Sequence, residues 1–292
     1  MAGAGRRVVG LARRLAGRGA DRTGSSFTTA PPPPAPPPFP PPPVRVDTDV
    51  GSLLLPAHDQ LILPVLLAEG RWEPDEADVL RALLRPGMNV VDVGAHVGYM
   101  TLLAAAAVGP GGRVWAVEPA PGNAALLRAN LEHNGVANVE VIEAAASDRA
   151  GRIGLSLSPW NSGDNRAYPV PAMEQVDVAA VRLDDVLPPE VLVDVVKVDT
   201  QGTDHRAVRG MAILLARSRP VLVVEFWPPA IVEQGEDPAG VVAGYAAMGF
   251  EVRVLGDGGD GGPPPAPADV VAAAEAHPAG YLNLLLRPAG RG

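Results

Sequence analysis

The chain has 292 residues, of which 47% are hydrophobic and 20% charged, so it can form one large packed domain or two small ones. It contains no cysteine, which excludes disulfides, thiolate zinc sites, iron–sulfur clusters and cysteine nucleophiles. No apolar run reaches the roughly 18 residues that a membrane-spanning helix needs, so we expect no membrane association and a cytoplasmic protein.

Charge is distributed unevenly along the chain. Residues 1–43 contain six Arg and one Asp, a net charge of +5, whereas the whole chain carries −9, so residues 44–292 carry −14. An acidic body is poorly matched to a phosphate backbone, and we expect no nucleic-acid partner. It is better suited to a cationic or neutral small molecule.

Composition divides the chain into three segments. Residues 1–43, with eleven prolines in the stretch 31–43, are expected to form a disordered Arg-rich and Pro-rich tail. The proline run predicts a polyproline II spacer and is also suited to a proline-reading partner. Residues 44–86 are predicted to be an N-terminal helical lead-in, and residues 87–288 the domain that carries the function.

The predicted elements alternate between helices and strands. Residues with helical spacing predict helices over 59–69, 75–85, 99–108, 121–134, 203–217 and 238–248. Short apolar runs predict strands over 89–93, 113–117, 139–144, 191–198, 221–226, 251–255 and 281–286. Less regular stretches occupy 150–182, with alternation near 153–157 and 176–181, and 257–268, a Gly/Pro loop. The pattern indicates an α/β fold, a parallel sheet with helices on both faces, and ligands then bind beyond the carboxyl ends of the strands.

Three acids follow three successive predicted strands. Asp92 precedes a glycine turn that runs from Gly94 to Gly98 and opens a helix. Glu118 ends the next strand, where a carboxylate can accept both hydroxyls of a ribose. Asp148 follows the third strand and could accept an adenine amino group. Each acid could instead cap a helix or a turn, but together they indicate a cofactor that contains a nucleoside.

Two cofactor classes compete for this site. A nicotinamide dinucleotide favours G-x-G-x-x-G and a pyrophosphate at the helix N-terminus, whereas this loop has the spacing G-x-x-x-G and an acid, Asp92, that would repel a pyrophosphate. S-adenosyl-L-methionine carries no phosphate, and a carboxylate suits its ammonium group. The residues therefore favour S-adenosyl-L-methionine, with an NAD-dependent oxidoreductase and a non-catalytic partner of methyltransferase fold as alternatives.

Motifs along the second half of the chain narrow this interpretation. The sequence resembles the FkbM-type family of class I S-adenosylmethionine-dependent methyltransferases in Asp92 to Tyr99, Glu118-Pro119, Ser147-Asp148, Asn161 to Arg166, Leu183-Asp184-Asp185, Lys197 to Gly202, Val208-Arg209-Gly210 and Val223-Val224-Glu225. It departs from the family pattern at His96, where Asn is more usual, and at Gln201, where Glu is common and Asp204 replaces a following Glu.

The resemblance implies a Rossmann-like sheet of seven strands whose last strand, 281–286, is antiparallel. It also implies O-methylation of a hydroxyl on a small-molecule acceptor such as a natural product or sugar. We assign the cofactor contacts to the glycine loop and the two strand ends that follow it: Asp92, Gly94, Ala95, His96, Gly98, Glu118, Ser147 and Asp148.

Catalysis of methyl transfer depends mainly on alignment, and a base helps when the acceptor is an un-ionised hydroxyl. Asp199, after a central predicted strand, is the first candidate base or orienting group, although it could instead cap the helix at Thr203. Glu225, at the end of the next strand, is the second candidate, with a buried structural acceptor as its alternative. His205, one turn into a helix, is the third candidate.

The irregular stretch at 156–171 is a candidate acceptor pocket because long loops in compact domains are often functional. Within it we assign substrate contacts to Trp160, which could stack on a ring, and to Asn161 and Arg166. A surface hairpin packed by its own aromatic side chains is the alternative. Trp227 and the two prolines after it are expected to form a turn that terminates a strand. Carboxylates are numerous enough for an oxygen-ligand metal site, but no spacing defines one, and we assign no metal.

Overall fold

A computed structural model describes residues 42–256 and 263–290, so the predicted tail up to residue 41 and the part of the predicted loop at 257–262 lie outside the described residues. The strands are β1 (Val44–Thr48), β2 (Gly51–Leu55), β3 (Asn89–Val93), β4 (Arg113–Val117), β5 (Val139–Ile142), β6 (Ala145–Ala146), β7 (Gly151–Leu157), β8 (Glu174–Val181), β9 (Val195–Val198), β10 (Val221–Phe226), β11 (Phe250–Val254) and β12 (Leu282–Pro288). The helices are α1 (Ile62–Glu69), α2 (Pro74–Leu83), α3 (Tyr99–Val108), α4 (Pro121–His133), α5 (Leu183–Val186), α6 (Asp204–Arg209), α7 (Ala212–Ser218), α8 (Pro228–Glu233), α9 (Pro238–Ala247) and α10 (Pro267–Ala276).

A seven-stranded sheet in the order β11-β12-β10-β9-β3-β4-β5 forms the centre of the molecule. Strands β10, β9, β3, β4 and β5 are parallel to one another. Strand β12 is antiparallel to both of its neighbours, which confirms the predicted antiparallel last strand. The predicted α/β, Rossmann-like fold with helices on both faces is therefore confirmed.

Alternate residues of each central strand face opposite sides of the sheet and define two cores. In β3, Val91 and Val93 pack into a C-terminal core that also contains apolar residues of α6, α7, α9 and α10. Val90 packs into a lead-in core formed with α1, α2, α3 and α4. In β9, Val195 belongs to the lead-in core, so Lys197, two residues further, points to that same side.

The predicted helical lead-in is wrong over its first residues, which form the β1–β2 hairpin. The hairpin packs on α4, where Asn130 and Asn134 use their side-chain amides as an additional strand would. The amide oxygens accept the N–H groups of Leu54 and Ser52 at 2.7 and 3.0 Å, and the amide nitrogens donate to the carbonyls of the same two residues. Pairing by distant side chains has no signature in the strand's own sequence.

Three further expectations differ from the structure. The stretch predicted to be irregular contains the antiparallel β7–β8 pair, which joins β6 in a second sheet of three strands. The helix expected over 203–217 is interrupted at Gly210, where a side chain would overlap the carbonyl oxygen of Ser147. Trp227 follows the last residue of β10, as expected, but it leads into a helix and not only a turn. The two prolines after it occupy the first turn of α8, where proline is well tolerated.

Within the described parts of the chain, no helix combines the length and the apolarity that crossing a membrane requires.

Candidate active site

A cleft opens beyond the carboxyl ends of β3, β4 and β9. The part we name the glycine-loop wall consists of Gly94, Ala95, His96 and Glu118. The part we name the Lys197 wall consists of Lys197, Asp199, Thr200 and Gln201. Apolar side chains complete the lining, among them Ala144, Ala145, Ala146, Leu155 and Ala167.

Gly94 lies where the two walls meet. Its φ is +81°, and a Cβ at this position would overlap the carbonyl oxygen of Asp199. The N–H groups of Gly94 and Ala95 donate to the carbonyl of Val117 at 2.9 and 3.0 Å, which joins the turn to β4. Gly98 does not line the cleft, and a Cβ there would lie 2.6 Å from a methyl of Leu127 in α4. Both glycines are thus required by close packing within the protein.

Glu118 supplies the carboxyl group of the glycine-loop wall. One oxygen, Oε2, accepts the N–H of His96 at 2.9 Å, and Oε1 accepts the N–H of Ala120 at 2.9 Å and the side-chain amide of Asn123 at 3.4 Å. Burial raises the pKa of Glu118 to about 7, although these hydrogen bonds favour the ionised form. The side chain is thus held in one orientation at the cleft and titrates near neutral pH.

Asp92 lies behind the glycine loop and does not line the cleft. Only 1% of it is exposed, and the hydroxyl of Thr101 donates to its Oδ2 at 2.5 Å. Its Oδ1 lies 3.9 Å from the Nζ of Lys197, its register partner on β9. Burial raises its pKa above the usual range for an aspartate. In this position Asp92 supports the strand ends beneath the cleft.

His96 connects the cleft to the lead-in. It has a φ of +53°, and its Nε2 lies 2.8 Å from the hydroxyl of Ser162. That hydroxyl donates to Oδ2 of buried Asp59 at 2.5 Å, so its oxygen is left to accept a hydrogen from His96. Burial lowers the pKa of His96 to about 4, which keeps the ring neutral with its hydrogen on Nε2. This chain of bonds fixes the loop that the sequence analysis placed beside the acceptor.

Asp199 lines the cleft, and Gln201 orients it. The side-chain amide of Gln201 donates to Oδ1 of Asp199 at 2.7 Å and approaches Oε2 of Glu225 at 3.4 Å. Gln201 has a φ of +54°, which turns its side chain back toward β9. Glu225 is 4% exposed and lies behind this pair without lining the cleft. A glutamate at position 201 could not donate these bonds and would add a third carboxylate.

Asp204 supports the loop between β9 and α6. Its Oδ1 accepts the N–H of Thr200 at 2.7 Å and its Oδ2 accepts the N–H of Gly202 at 3.0 Å. Burial raises its pKa to about 7. Asp204 therefore accepts the loop N–H groups that Asp199 would have to accept if it capped the helix.

Carboxylate oxygens of Asp199, Asp204 and Glu225 lie within 4.8 Å of one another. Both oxygens of Asp204 accept backbone N–H groups, and the amide of Gln201 lies between the other two side chains. Asp184 of α5 does not belong to this cluster, because its carboxylate caps α7: Oδ1 accepts the N–H of Leu214 at 2.8 Å. The three carboxylates and Gln201 thus form a network of buried hydrogen bonds, and we assign no metal to it.

Several residues of the cleft were not predicted from the sequence, among them Trp72, Glu73 and Lys197. Trp72 and Glu73 reach it from the lead-in, and Glu73 has a φ of +42° where it precedes α2. No local pattern distinguishes them, because their position depends on how α2 packs. Lys197 did carry a signal, since it is a charged residue, and the sole lysine, inside an apolar strand.

Ser147 and Asp148 do not line the cleft. Strand β6 pairs with β8 and leads the chain away from the rim. The carboxylate of Asp148 lies 3.9 Å from the guanidinium of Arg149, with a quarter of its side chain exposed. The adenine contact assigned to Asp148 stays a prediction. The residues of this segment that line the cleft are Ala144, Ala145 and Ala146.

Only part of the predicted acceptor loop reaches the cleft. Asn161 lines it, as do Ser162 and Gly163. Trp160 and Arg166 do not. The guanidinium of Arg166 is 2.8 Å from Oδ1 of Asp164 and lies 4.7 Å from the centre of the Trp227 ring.

His205 is buried on the far side of the loop and does not line the cleft. Its Nε2 lies 3.0 Å from Oε1 of Glu236, which also pairs with Arg206 and Arg209. This environment gives His205 a structural partner at the surface of α6.

Comparisons with known proteins agree with the resemblance noted above. A model of the methyltransferase FkbM domain matches residues 92–252. The 31-O-demethyl-FK506 methyltransferase FkbM of Streptomyces tacrolimicus is 31% identical over 160 residues, which cover 44% of this chain and 61% of that protein. A protein-L-isoaspartate O-methyltransferase of Aeropyrum pernix is 51% identical over 55 residues, 19% of this chain and 21% of that protein.

The chain thus spans less than two thirds of either relative. Among solved structures, a methyltransferase FkbM from Methylobacillus flagellatus superposes with a TM-score of 0.45 at 14% identity, over 76% of this chain and 51% of that one.

Proposed function

This chain belongs to the FkbM methyltransferase family, whose domain model covers more than half of it, and from that premise we propose that it is an S-adenosylmethionine-dependent O-methyltransferase. The acceptor we propose is a hydroxyl of a small molecule. The observation that carries the proposal is the buried carboxyl of Glu118, held at the cleft beside the glycine loop.

The residues of the glycine-loop wall fit a nucleoside. A carboxylate at the end of the second parallel strand is suited to accept the two ribose hydroxyls. The alanines of the lining, with Leu155, offer an apolar surface for a flat base. The N–H group of Gly94 donates to the carbonyl of Val117, so it is not available as a donor to a pyrophosphate. This feature supports a cofactor without phosphate over a nicotinamide dinucleotide.

The residues of the Lys197 wall fit the reacting end. When bound, S-adenosyl-L-methionine supplies an electrophilic methyl group on a sulfonium. Asp199, at the end of β9, would accept the hydrogen of the acceptor hydroxyl and orient its oxygen. Gln201 holds Oδ1 of Asp199 and leaves this carboxylate one defined orientation. The polar side chains that continue from it, Thr200 and Thr203, would contact further hydroxyls of the acceptor.

The acidic body supports a neutral or cationic acceptor over a nucleic acid. Residues 44–292 carry a charge of −14, which would repel a phosphate backbone.

Calorimetric titration of the full chain with S-adenosyl-L-methionine, S-adenosyl-L-homocysteine and NAD in parallel tests the cofactor. We expect the first two to bind and NAD not to bind. Glu118→Gln should weaken both by roughly 10- to 100-fold, since a hydrogen bond to a charged group contributes about 1.5–3 kcal/mol. Glu143→Gln is the matched control, because Glu143 is a surface carboxylate that pairs with Arg128. Preference for NAD, or equal effects of the two variants, would contradict the proposal.

The acceptor class is tested separately by incubating the chain with S-adenosyl-L-methionine and a panel of sugars, hydroxylated natural products and amines. Mass spectrometry should show one added methyl group on a hydroxylated compound. Methylation confined to amines would contradict O-methylation while leaving the cofactor assignment intact.

A further inference from the structure

Lys197 is the sole lysine of the chain and one of its most buried charged groups. It is 4% exposed, and its Nζ lies 3.6 Å from Oδ2 of Asp199 and 3.9 Å from Oδ1 of Asp92. Its neighbour in register on β10 is Val223, an apolar residue of the lead-in core. A buried ammonium destabilises the folded state unless it is paired. The carboxylates of Asp199 and Asp92 provide that pairing.

Two partners of Lys197 differ in what they face. Asp92 is enclosed and is held by Thr101, whereas Asp199 lines the cleft. Glu76 of α2 also interacts with this ammonium, but it is buried, and its Oε2 accepts the side-chain amide of Asn283 of β12 at 3.2 Å. Of the two carboxylates within 4 Å of Nζ, Asp199 is therefore the one that connects the buried charge to the cleft, whereas Glu73, which also lines the cleft, contributes less to the pKa of Lys197.

We propose that Lys197 is a positioning residue, whose ammonium keeps the Asp199 carboxylate ionised and aimed into the cleft. The proposal rests on the proposed function for the meaning of that carboxylate, but the pairing itself can be tested without it. The two oxygens of Asp199 are contacted differently: the amide of Gln201 donates to Oδ1, and the ammonium of Lys197 forms an ion pair with Oδ2. A carboxylate contacted at both oxygens is held in one orientation at the cleft, as an acceptor for a hydroxyl hydrogen requires.

Burial acts against the charge of Lys197, but the surrounding carboxyls outweigh it, with the largest contribution from Asp199, and raise its pKa. The ammonium is accordingly present throughout the neutral range. Without it, Asp199 would be an acid beside other acids with no cation nearby, which disfavours its ionised form. The other titratable groups around this pair are Glu73, Glu76, Asp92, His96, Asp204 and Glu225.

A single lysine makes the pairing directly observable by NMR. Protein labelled with [13Cε]lysine has one side-chain signal, which reports the ionisation of Lys197. We expect this signal to stay at the protonated position up to pH 10 in the wild type and to titrate at lower pH in Asp199→Asn. Glu143→Gln, at a surface carboxylate that pairs with Arg128, is the control and should leave the titration of Lys197 unchanged. Identical titrations of Lys197 in the wild type and Asp199→Asn would overturn the pairing.

The consequence for the cleft is tested by the ratio of affinities for S-adenosyl-L-methionine and S-adenosyl-L-homocysteine, which differ in the sulfonium charge. We expect a constant ratio between pH 6 and 9 in the wild type and in Lys197→Arg, which keeps the charge. In Lys197→Met the preference for the sulfonium should be weaker at pH 6 and should increase toward pH 9, as Asp199 ionises. In Lys197→Met with Asp199→Asn the ratio should stay low at every pH.

A ratio that is constant and equal to that of the wild type in Lys197→Met would overturn the positioning role. If Lys197→Met does not fold, the double variant, which removes both charges together, and the lysine signal of Asp199→Asn decide the question. If neither compound binds the wild type, the proposed function fails, whereas the NMR titration still tests whether Asp199 and Lys197 form a pair.

Discussion

The glycine-loop wall and the Lys197 wall border one cleft but are built by different means. The glycine-loop wall uses small residues, backbone N–H groups and one carboxyl, Glu118, whose partners are close in sequence or on the adjacent strand. The Lys197 wall depends on a buried ammonium that is surrounded by carboxyl groups of residues in β3 and α2 and after β9. The first wall depends on local geometry, and the second depends on a balance of charges that exists only once the chain is folded.

Gly94 joins the two walls, and its substitution should have the largest effect. In Gly94→Ala a methyl group would overlap the carbonyl oxygen of Asp199 at a residue whose φ is +81°. We expect a loss of stability of about 3 kcal/mol or more and loss of S-adenosyl-L-methionine binding. Gly122→Ala in α4 is the control, because a Cβ there meets no atom within 4 Å. Thermal unfolding and calorimetry measure both, and equal behaviour of the two variants would show that the walls are not packed as described.

Glu118 provides a test of the glycine-loop wall through pH. Burial raises its pKa to about 7, and ribose hydroxyls donate best to the ionised form. Affinity for S-adenosyl-L-homocysteine should therefore rise by about tenfold between pH 6 and pH 8, as the carboxylate forms. Glu118→Gln cannot ionise and should lose this contribution while keeping any change that comes from the ligand's own amine. A pH profile that is the same in both proteins would indicate that Glu118 does not contact the ligand.

Ser162 tests whether the lead-in stabilises the glycine-loop wall. Ser162→Ala removes the hydroxyl that bridges His96 and Asp59 and leaves buried polar groups without this partner. We expect unfolding to become easier by about 1–3 kcal/mol, and cofactor affinity to fall only several-fold. Ser52→Ala is the matched control, since the buried hydroxyl of Ser52 makes no hydrogen bond. Denaturant unfolding compares the two variants. An equal loss in the free energy of unfolding in both would show that the Ser162 bridge does not stabilise the glycine-loop wall.

His205 should have the smallest effect on binding, although it was a candidate for catalysis. It is 2% exposed and pairs with Glu236 away from both walls. In His205→Gln we expect affinity for S-adenosyl-L-methionine to change by less than about twofold, with a loss of stability near 1 kcal/mol for one hydrogen bond. Calorimetry would contradict this placement if binding were abolished in a folded variant.

The same contrast explains what could be predicted from the sequence. Strands β3, β4 and β10 begin and end as predicted, because short apolar runs between glycine turns are a local signal. The glycine loop and Glu118 share that property, and Glu118 lines the cleft together with Gly94, Ala95 and His96. That they bind a cofactor stays a prediction.

Features that arise from distant packing could not be predicted in this way. The β1–β2 hairpin depends on the amides of Asn130 and Asn134, and the contribution of Trp72 to the cleft depends on the position of α2. Asp148 was placed beside the cleft because the third strand was expected to continue to Ala144, whereas β6 leads the chain toward β8. Sequence spacing alone does not contain the direction in which a strand end turns.

A crystal structure of the full chain with S-adenosyl-L-homocysteine tests the division of the cleft most directly. We predict that both ribose hydroxyls donate to Glu118 and that the thioether sulfur lies on the Lys197 wall, in contact with the residues around Asp199. A ligand whose ribose lies away from Glu118, or whose sulfur lies away from Asp199, would contradict the assignment of the two walls.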